Sequence, residues 1–539
     1  LAHSMAIRAP EGWIIIDTGD TTQAAQEMRD KLAEAVGGPI DVAAILLTHW
    51  HYANGTGAWA DDGVEIWGHE WLDSNRTATV GVGPLSGIFQ ARAISQFGVF
   101  HPADGPDSFP TKLGFKPDKF LGATSYQPPE RLFANGTVDT FTIAGETVEV
   151  MPNRSDTTDS VGFYFPRLRA LISNTMVMGW LFNVYSLRGG RFRDPDPYLE
   201  DSRRMESYNA AVLLDLHSAP AVGEEAVRDT IQRAGDQVRL MRDQSLRMFA
   251  RGMDGREAAE VVNLPTSMRD GWEFYGQLES QVRQLYNGYL GWFGNDVYDI
   301  NPLPLAEETR RMVVMMGGVD AVRSEAKNAA ATEDIADWQW ALKLTSMLLQ
   351  LDPDDEAARN TRAIAARALG HRTASSNARG WYLTDALEME GQLLALGIPV
   401  KIGQLRSLLG TPQRGELTAA GTGPNLGLLR VLIDPDLAAD NRLSFTVQVD
   451  DDPDLWQVEL RNGAILTEPA TAELPDHVTI SREDLADFIL GAREPSPDTP
   501  LGMLNGMLDR SGFVFLSDSE LETLKARMAD LLLLGPGEQ

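Results

Sequence analysis

The sequence predicts a multidomain chain of mixed class, α/β followed by α followed by α+β. Three changes of pattern carry this. Residues 1–225 alternate short buried strands with turns and helices, 226–380 read as consecutive helices, and 381–539 return to strands with period-two alternation. A chain of 539 residues exceeds one compact core, so two to four domains are expected.

The elements follow in order. "GWIIIDTG" is a buried strand ending in Asp17, and "TTQAAQEMRDKLAEAVGG" is an amphipathic helix closed by glycine. "VAAILLTH" and "GVEIWGHE" are the next two strands, which completes a βαβ rhythm with polar residues at strand ends. Residues 80–135 are rich in Gly, Pro and Ser and read as a long, largely irregular insertion. "TVDTFTIAGETVEVMP" reads as a hairpin, and "SVGFYFPRLRALISN" as two strands around a proline turn. In the helical part, "DIADWQWALKLTSMLLQLDPDDEAARNTRAIAARALGHRT" reads as a helical hairpin with a "DP" turn, part of a bundle whose apolar faces suit a subunit interface. Last come "LSFTVQVDD", "LWQVELRNGAILT" and "HVTISREDLADFILG", with "RNG" as a hairpin turn. That final part holds one histidine, His477, and no dense polar cluster.

Composition narrows the function. The 47 basic and 77 acidic residues leave a net charge of −30. Such a surface repels phosphate backbones and anionic lipids, so no nucleic-acid partner is expected, and any anion site must carry its own positive charge. Cysteine is absent, which excludes disulfides, thiolate ligands and a cysteine nucleophile. Any metal must be held by histidine and carboxylates. No run reaches the roughly 18 apolar residues of a membrane span. The chain opens "LAHSMAIRAPEGW" without an initiator methionine, so an upstream piece is expected to have been removed.

Of eight histidines, His49 and His51 stand two apart where a buried strand ends. In a loop leaving a strand, such a pair can turn both imidazoles onto one divalent ion, zinc above all. The same spacing also serves two ordinary loop histidines. Other strands end in metal-capable groups too: Asp17, Asp156 and Asp159 in "NRSDTTDS", and His217 in "LLDLHSAP". Each has a plainer reading, Asp17 as a turn former, Asp159 as a cap and His217 as a surface loop residue.

Together these segments resemble a known family. "WIIIDTG", "LLTHWH" and "GHE" resemble the metallo-β-lactamase fold, an αββα sandwich. "FNVYSLRGGRFRDP", "YNGYLGWFGNDVYDINPLP", "VVMMGGVDAV" and "RGWYLTDALEMEGQL" resemble the alkylsulfatase branch of that fold and its helical dimerisation domain. "LRNGAILT" and "VTISREDLADFILG" resemble its sterol-carrier-protein-like (SCP2-like) C-terminal domain. The resemblance implies three domains, at 1–225, 226–380 and 381–539, and a homodimer. It also implies a hydrolase of sulfate esters, built in the family around two zinc ions and a metal-bound hydroxide. Its substrate would be a small anionic amphiphile such as an alkyl sulfate. Exported members make a periplasmic or secreted location the expectation over a cytoplasmic one.

Carried over residue by residue, the resemblance makes His49, His51, Asp156 and His217 metal ligands, with Asp156 in place of the family's Glu. Asn183 and Arg188 fall on the residues that hold the sulfate oxygens, a task suited to the guanidinium fork. For Arg188 the plainer reading is a surface ion pair. The second metal's ligands do not carry over, since Ala53, Asn54 and Thr175 stand where the family has Asp, His and Glu. One zinc ion is therefore expected rather than two. His69, Glu70 and Asp159 are candidates to compensate, the first two reading otherwise as an ordinary strand-end pair. The apolar "GPLSGIFQARAISQFGVF" is read as lining for an alkyl pocket. Two other functions stay open: a related hydrolase or lyase with another substrate, and a non-catalytic ligand-binding homologue.

Overall fold

The computed structural model describes residues 2–80, 82–108, 122–268, 273–395 and 397–511. The chain forms two compact units, 1–73 with 92–400 and 74–91 with 401–539.

The first unit begins with two packed sheets. One runs in the order β1 (Met5–Ala9), β2 (Gly12–Ile16), β3 (Val42–Leu46), β4 (Glu65–His69) and β5 (Arg131–Phe133). After the antiparallel β1–β2 pair its neighbours are parallel. The other sheet contains β6 (Asp139–Ile143), β7 (Glu146–Pro152), β8 (Val161–Phe165), β9 (Ala170–Ser173), β10 (Val212–Asp215) and β11 (Ala221–Val222), in reverse order across the sheet. Ile14, Ile16, Leu46 and Phe133 of the first sheet share one buried cluster with Val148, Phe163, Phe165 and Ile172 of the second. Burial on both faces explains why "WIII" and "AILL" are unbroken apolar runs rather than alternating ones. The expected hairpin is present, and Ala144 (φ 49°) and Gly145 (φ 73°) give its turn the left-handed pair that joins twisted strands tightly. The helix Thr22–Val36 starts on the Thr21 side chain and stops at Gly37 (φ 76°), as its sequence predicts.

Where it is described, the stretch 80–135 is largely irregular, as its composition suggests, but it contains a helix. That helix is Ser86–Gln96; the other regular structure among the described residues of the stretch is the last residue of helix Leu72–Val80 and the short strand β5. Gly87, Ala91 and Ile94 are buried at helical spacing, a periodicity that outweighs the Gly and Ser content. Residues 109–121 of that stretch lie outside the described residues.

Helices then follow from Glu224–Phe249 to Ser376–Met389. The predicted hairpin is formed by Ile335–Leu351 and Glu356–Arg372, the second capped by the Asp355 carboxylate on the Ala358 N–H at 3.0 Å. Ser376–Met389 runs through residue 380 without a break. A two-residue pair, β12 (Leu394–Ala395) and β13 (Ile398–Pro399), ends this unit.

The second unit is α+β. Its sheet runs β16 (Ala464–Pro469), β15 (Leu455–Arg461), β14 (Leu443–Val449), β17 (His477–Ile480), with β14 and β17 parallel. Phe445, Val447, Leu460 and Phe488 lie in its buried core. Asn462 (φ 52°) and Gly463 (φ 74°) make the turn read from "RNG". Among the described residues, no helix is long and apolar enough to cross a membrane.

Candidate metal centre

The chemistry gathers where strands of the two sheets end. β3 gives way to Thr48 and then to the single turn Trp50–Tyr52, which carries His51. The turn is held from both sides. Thr18 and Gly19 N–H groups donate to the Tyr52 carbonyl at 2.9 and 3.1 Å, and the Trp50 N–H donates to the buried Asp159 carboxylate at 2.9 Å. The chain must also pass close to the strand before it. A side chain at Gly55 would run into the Thr18 carbonyl and Ala25, so glycine is required there.

Three donors converge on one point. His49 Nε2 lies 2.8 Å from His51 Nδ1 and 3.3 Å from Asp156 Oδ2, and His51 Nδ1 lies 2.6 Å from the same oxygen. Ligands bound tetrahedrally at 2.0–2.1 Å stand about 3.3 Å apart, so this cluster needs only a slight opening to hold one divalent ion. Among the described residues it is the group of His, Cys, Asp or Glu gathered closely enough to do so. Two imidazoles and one carboxylate suit zinc and similar ions.

The supporting shell is built from both sheets. Asp17 (φ 57°) is buried and accepts from the Thr48 N–H at 2.9 Å and the Thr48 hydroxyl at 2.7 Å, while Thr48 Oγ1 lies 3.0 Å from His49 Nδ1. This chain fixes the His49 ring so that Nε2 faces the cluster. Burial pushes the Asp17 carboxyl up to about 6, against the pull of His49 and the Thr48 donors. Arg193 pairs with Asp156 through its guanidinium, and also donates to the carbonyls of Asp156 at 2.8 Å and Asn183 at 2.7 Å. Burial would raise Asp156, but the Arg193 guanidinium, with the hydrogen bonds of His49 and His51, holds it well below the usual carboxylate range.

Arg188 and Asn183 stand at the same site. Arg188 Nη2 lies 3.3 Å from His51 Nε2. Its loop is tied to the helix Ser86–Gln96: Gln96 Oε1 accepts the Arg188 N–H at 2.7 Å, and Arg92 donates to the carbonyls of Leu187 and Arg188. Arg188 is thus no surface ion pair, and Arg92 and Gln96 hold its loop. Asn183 is buried, with its Oδ1 accepting from Gln281. Arg188 Nε and Asn183 Nδ2 are buried donors without a hydrogen-bond partner among the described residues. Such groups are costly unless a ligand satisfies them.

Other predicted residues are placed differently. His217 is outside the three-donor group, and its Nε2 meets the Tyr52 hydroxyl at 3.2 Å. His69 and Glu70 do not compensate for missing ligands. His69 Nδ1 accepts the Trp71 N–H at 3.0 Å, and the exposed Glu70 carboxylate accepts the Asn135 N–H at 2.8 Å, so both close the turns beyond β4 and β5. Asp159 holds the Trp50 backbone rather than an ion. Ala53 is buried, the Asn54 carbonyl accepts the Ser125 N–H, and Thr175 (φ 59°) donates its hydroxyl to Asn174 Oδ1.

Sequence reasoning missed four contributors. Arg193 lay in the quoted "FNVYSLRGGRFRDP" and Asp215 two residues before His217 in the quoted "LLDLHSAP", while Tyr52 and Tyr275 carried no distinguishing motif. Asp215 accepts from the Ser173 hydroxyl at 2.6 Å, the Met176 N–H at 3.1 Å and the His217 N–H at 2.9 Å, which orders two loops at once.

The comparisons with known proteins agree with this geometry. Residues 1–214 match the metallo-beta-lactamase superfamily, and 254–392 match the alkyl sulfatase dimerisation family. A linear primary-alkylsulfatase of Pseudomonas sp. (strain ATCC 19151) is 32% identical over 505 residues, 90% of this chain and 92% of that protein. The chain belongs to the alkylsulfatase family of the metallo-β-lactamase fold. An (R)-specific secondary-alkylsulfatase of Pseudomonas sp. is 26% identical over 58% of this chain and 46% of its own length. In fold, the chain is similar to the stereoselective inverting sec-alkylsulfatase Pisa1 from Pseudomonas sp., with TM-score 0.79 at 22% identity, over 94% of this chain and 82% of that one. This family fold implies divalent metal binding, for which the His49–His51–Asp156 cluster provides donors.

The protonation of the cluster gives a test of this alkylsulfatase's metal centre. Burial pushes His51 down to about 3, so its imidazole is neutral near pH 7. Burial opposes charge on His49 as well, but the Asp156 carboxylate, with Asp159 and Asp17, holds it above its ordinary value. An ion needs neutral imidazole and ionised carboxylate. Affinity should therefore fall as pH drops through the raised His49 pKa, while His51 and Asp156 add no pH dependence near neutrality. Calorimetry in buffers of different ionisation enthalpy is expected to show proton release per ion that approaches one on the acid side of the raised His49 pKa and vanishes on its alkaline side. Release of two protons would contradict the assignment.

Proposed function

We propose that this alkylsulfatase-family chain hydrolyses alkyl sulfate esters to alcohol and inorganic sulfate with a single divalent ion, zinc, at His49, His51 and Asp156. The observation that carries this is the three-donor cluster standing beside Arg188 and Asn183, whose buried donors are unsatisfied. When bound, the ion supplies a Lewis acid of the kind that activates water and offsets charge on an ester oxygen. The chain's own residues do the rest. Arg188 offers a planar fork to the oxygens of a tetrahedral anion, and Asn183 offers an amide N–H. Arg193 keeps Asp156 ionised and aimed at the histidines. Trp180 and Tyr275, stacked with centroids 6.0 Å apart, give the site an apolar wall suited to a hydrocarbon chain, with Trp180 6.4 Å from His217. The strongly acidic surface repels anionic substrate at long range, so capture depends on these local cations.

One ion rather than two is supported by Ala53, Asn54 and Thr175, none of which carries an imidazole or a carboxylate. Elemental analysis of the purified protein is expected to give one divalent ion per chain, together with sulfate release from primary or secondary alkyl sulfates. Two firmly held ions would refute the metal count, and no hydrolysis across that panel would refute the activity.

The chain is also proposed to work as a homodimer. Trp292, Val297, Leu305, Val314 and Met315 are exposed apolar residues within the segment matching the dimerisation family. Such side chains in number mark an interface. Light scattering at micromolar concentration is expected to give twice the 59.1 kDa chain mass. A monomer would contradict this.

A further inference from the structure

The cluster His49–His51–Asp156 and the nearby His217 are separated by one side chain, Tyr52. Its ring stands edge-on to His49 at 5.2 Å between centroids, and to His217 at 5.8 Å. Its hydroxyl lies 3.2 Å from His217 Nε2 in hydrogen-bonding direction. A histidine nitrogen coordinates a metal along that same direction, with a bond of about 2.0 Å. An ion there would sit only about 1.2 Å from the phenol oxygen, well inside the 2.0–2.2 Å of a metal–oxygen bond. Ion and phenol therefore exclude each other at His217 Nε2.

The phenol is not free to step aside. The Tyr52 backbone is clamped by three donors on its carbonyl, the N–H groups of Thr18 and Gly19 and the Thr18 hydroxyl at 3.0 Å, and its ring packs against the core of the two sheets. The next two residues, Ala53 and Asn54, offer no competing charged ligand.

We propose that Tyr52 sets the metal count of this centre: its phenol takes the place of a second ion and engages His217 as a hydrogen-bond partner instead of a ligand. This rests on the one-ion reading above. It makes the loss of the second ion a replacement by a specific side chain, beyond the absence of ligands. Restoring ligands alone would then not restore the ion, because the space is filled.

The test is zinc bound per chain, measured by elemental analysis after titration and gel filtration of the full chain. Ala53→Asp with Asn54→His reinstates two ligating side chains and is expected to stay at one ion while Tyr52 is present. Adding Tyr52→Ala is expected to raise the count to two. Because a carboxylate at the buried Ala53 position can impair folding, the milder pair, Asn54→His with and without Tyr52→Ala, is run in parallel. A second ion seen only in variants lacking Tyr52 supports the proposal. A second ion with Tyr52 in place, or none in any variant, overturns it. Two ions in the unaltered protein would instead refute the one-ion reading itself.

Discussion

Asp156→Ala is expected to empty the metal centre and to destabilise the fold together. Its Oδ2 is, among the described residues, the one carboxylate oxygen within 3.3 Å of both His49 Nε2 and His51 Nδ1. Its other oxygen pairs with Arg193, and both side chains are nearly buried, at 10% and 14% exposure. Removing the carboxylate leaves two imidazoles, too few for tight binding, and strands a guanidinium with only main-chain carbonyls as acceptors. Breaking a buried pair from one side costs about 3–5 kcal/mol. Elemental analysis should show the ion lost, and denaturant unfolding should show a stability loss of that order. Asp156→Asn separates the two effects: it keeps the shape and a neutral acceptor for Arg193, so metal should still be lost with a smaller stability penalty. An alanine variant that keeps both its ion and its stability would remove Asp156 from the site.

Arg188→Ala is expected to lower turnover of alkyl sulfates by about 100- to 1,000-fold, the scale measured for removing one preorganised donor from a developing anion. Metal content should not change, because Arg188 touches His51 through Nε2 and not through the nitrogen that faces the cluster. Arg188→Lys should recover little, since an ammonium lacks the two-point fork. The test is steady-state kinetics beside elemental analysis on the same preparation. Full activity in Arg188→Ala would end the anion-holding role. Lost metal would show instead that Arg188 supports the cluster.

Much of the architecture was legible along the chain. Buried strands such as "GWIII" and "VAAILL", the two left-handed hairpin turns and the capped helices are local, because period, burial and turn chemistry are written in adjacent residues. Within the largely irregular insertion at 80–135, glycine and serine content masks one helix, Ser86–Gln96, whose buried positions recur at helical spacing. That helix was read as pocket lining, and its role in holding the Arg188 loop came only with the fold. His69 and Glu70 sit at a strand end just as His49 does, yet they serve turns, and nothing in their spacing distinguishes the two cases.

The sequence by itself determined the donor inventory of this protein. With no cysteine and few histidines, a metal could rest only on imidazole and carboxylate, and "THWH" after a buried strand marked the place. Tertiary structure decided which of those groups meet. It brought Asp156 from the loop after β7 onto the histidines after β3, set Arg193 behind it, and left His217 facing Tyr52. The physical reason is distance along the chain. A coordination sphere is only a few ångströms across, and more than a hundred residues separate His51 from Asp156. Such a meeting is fixed by how two sheets pack and where their strands end, which local sequence does not encode.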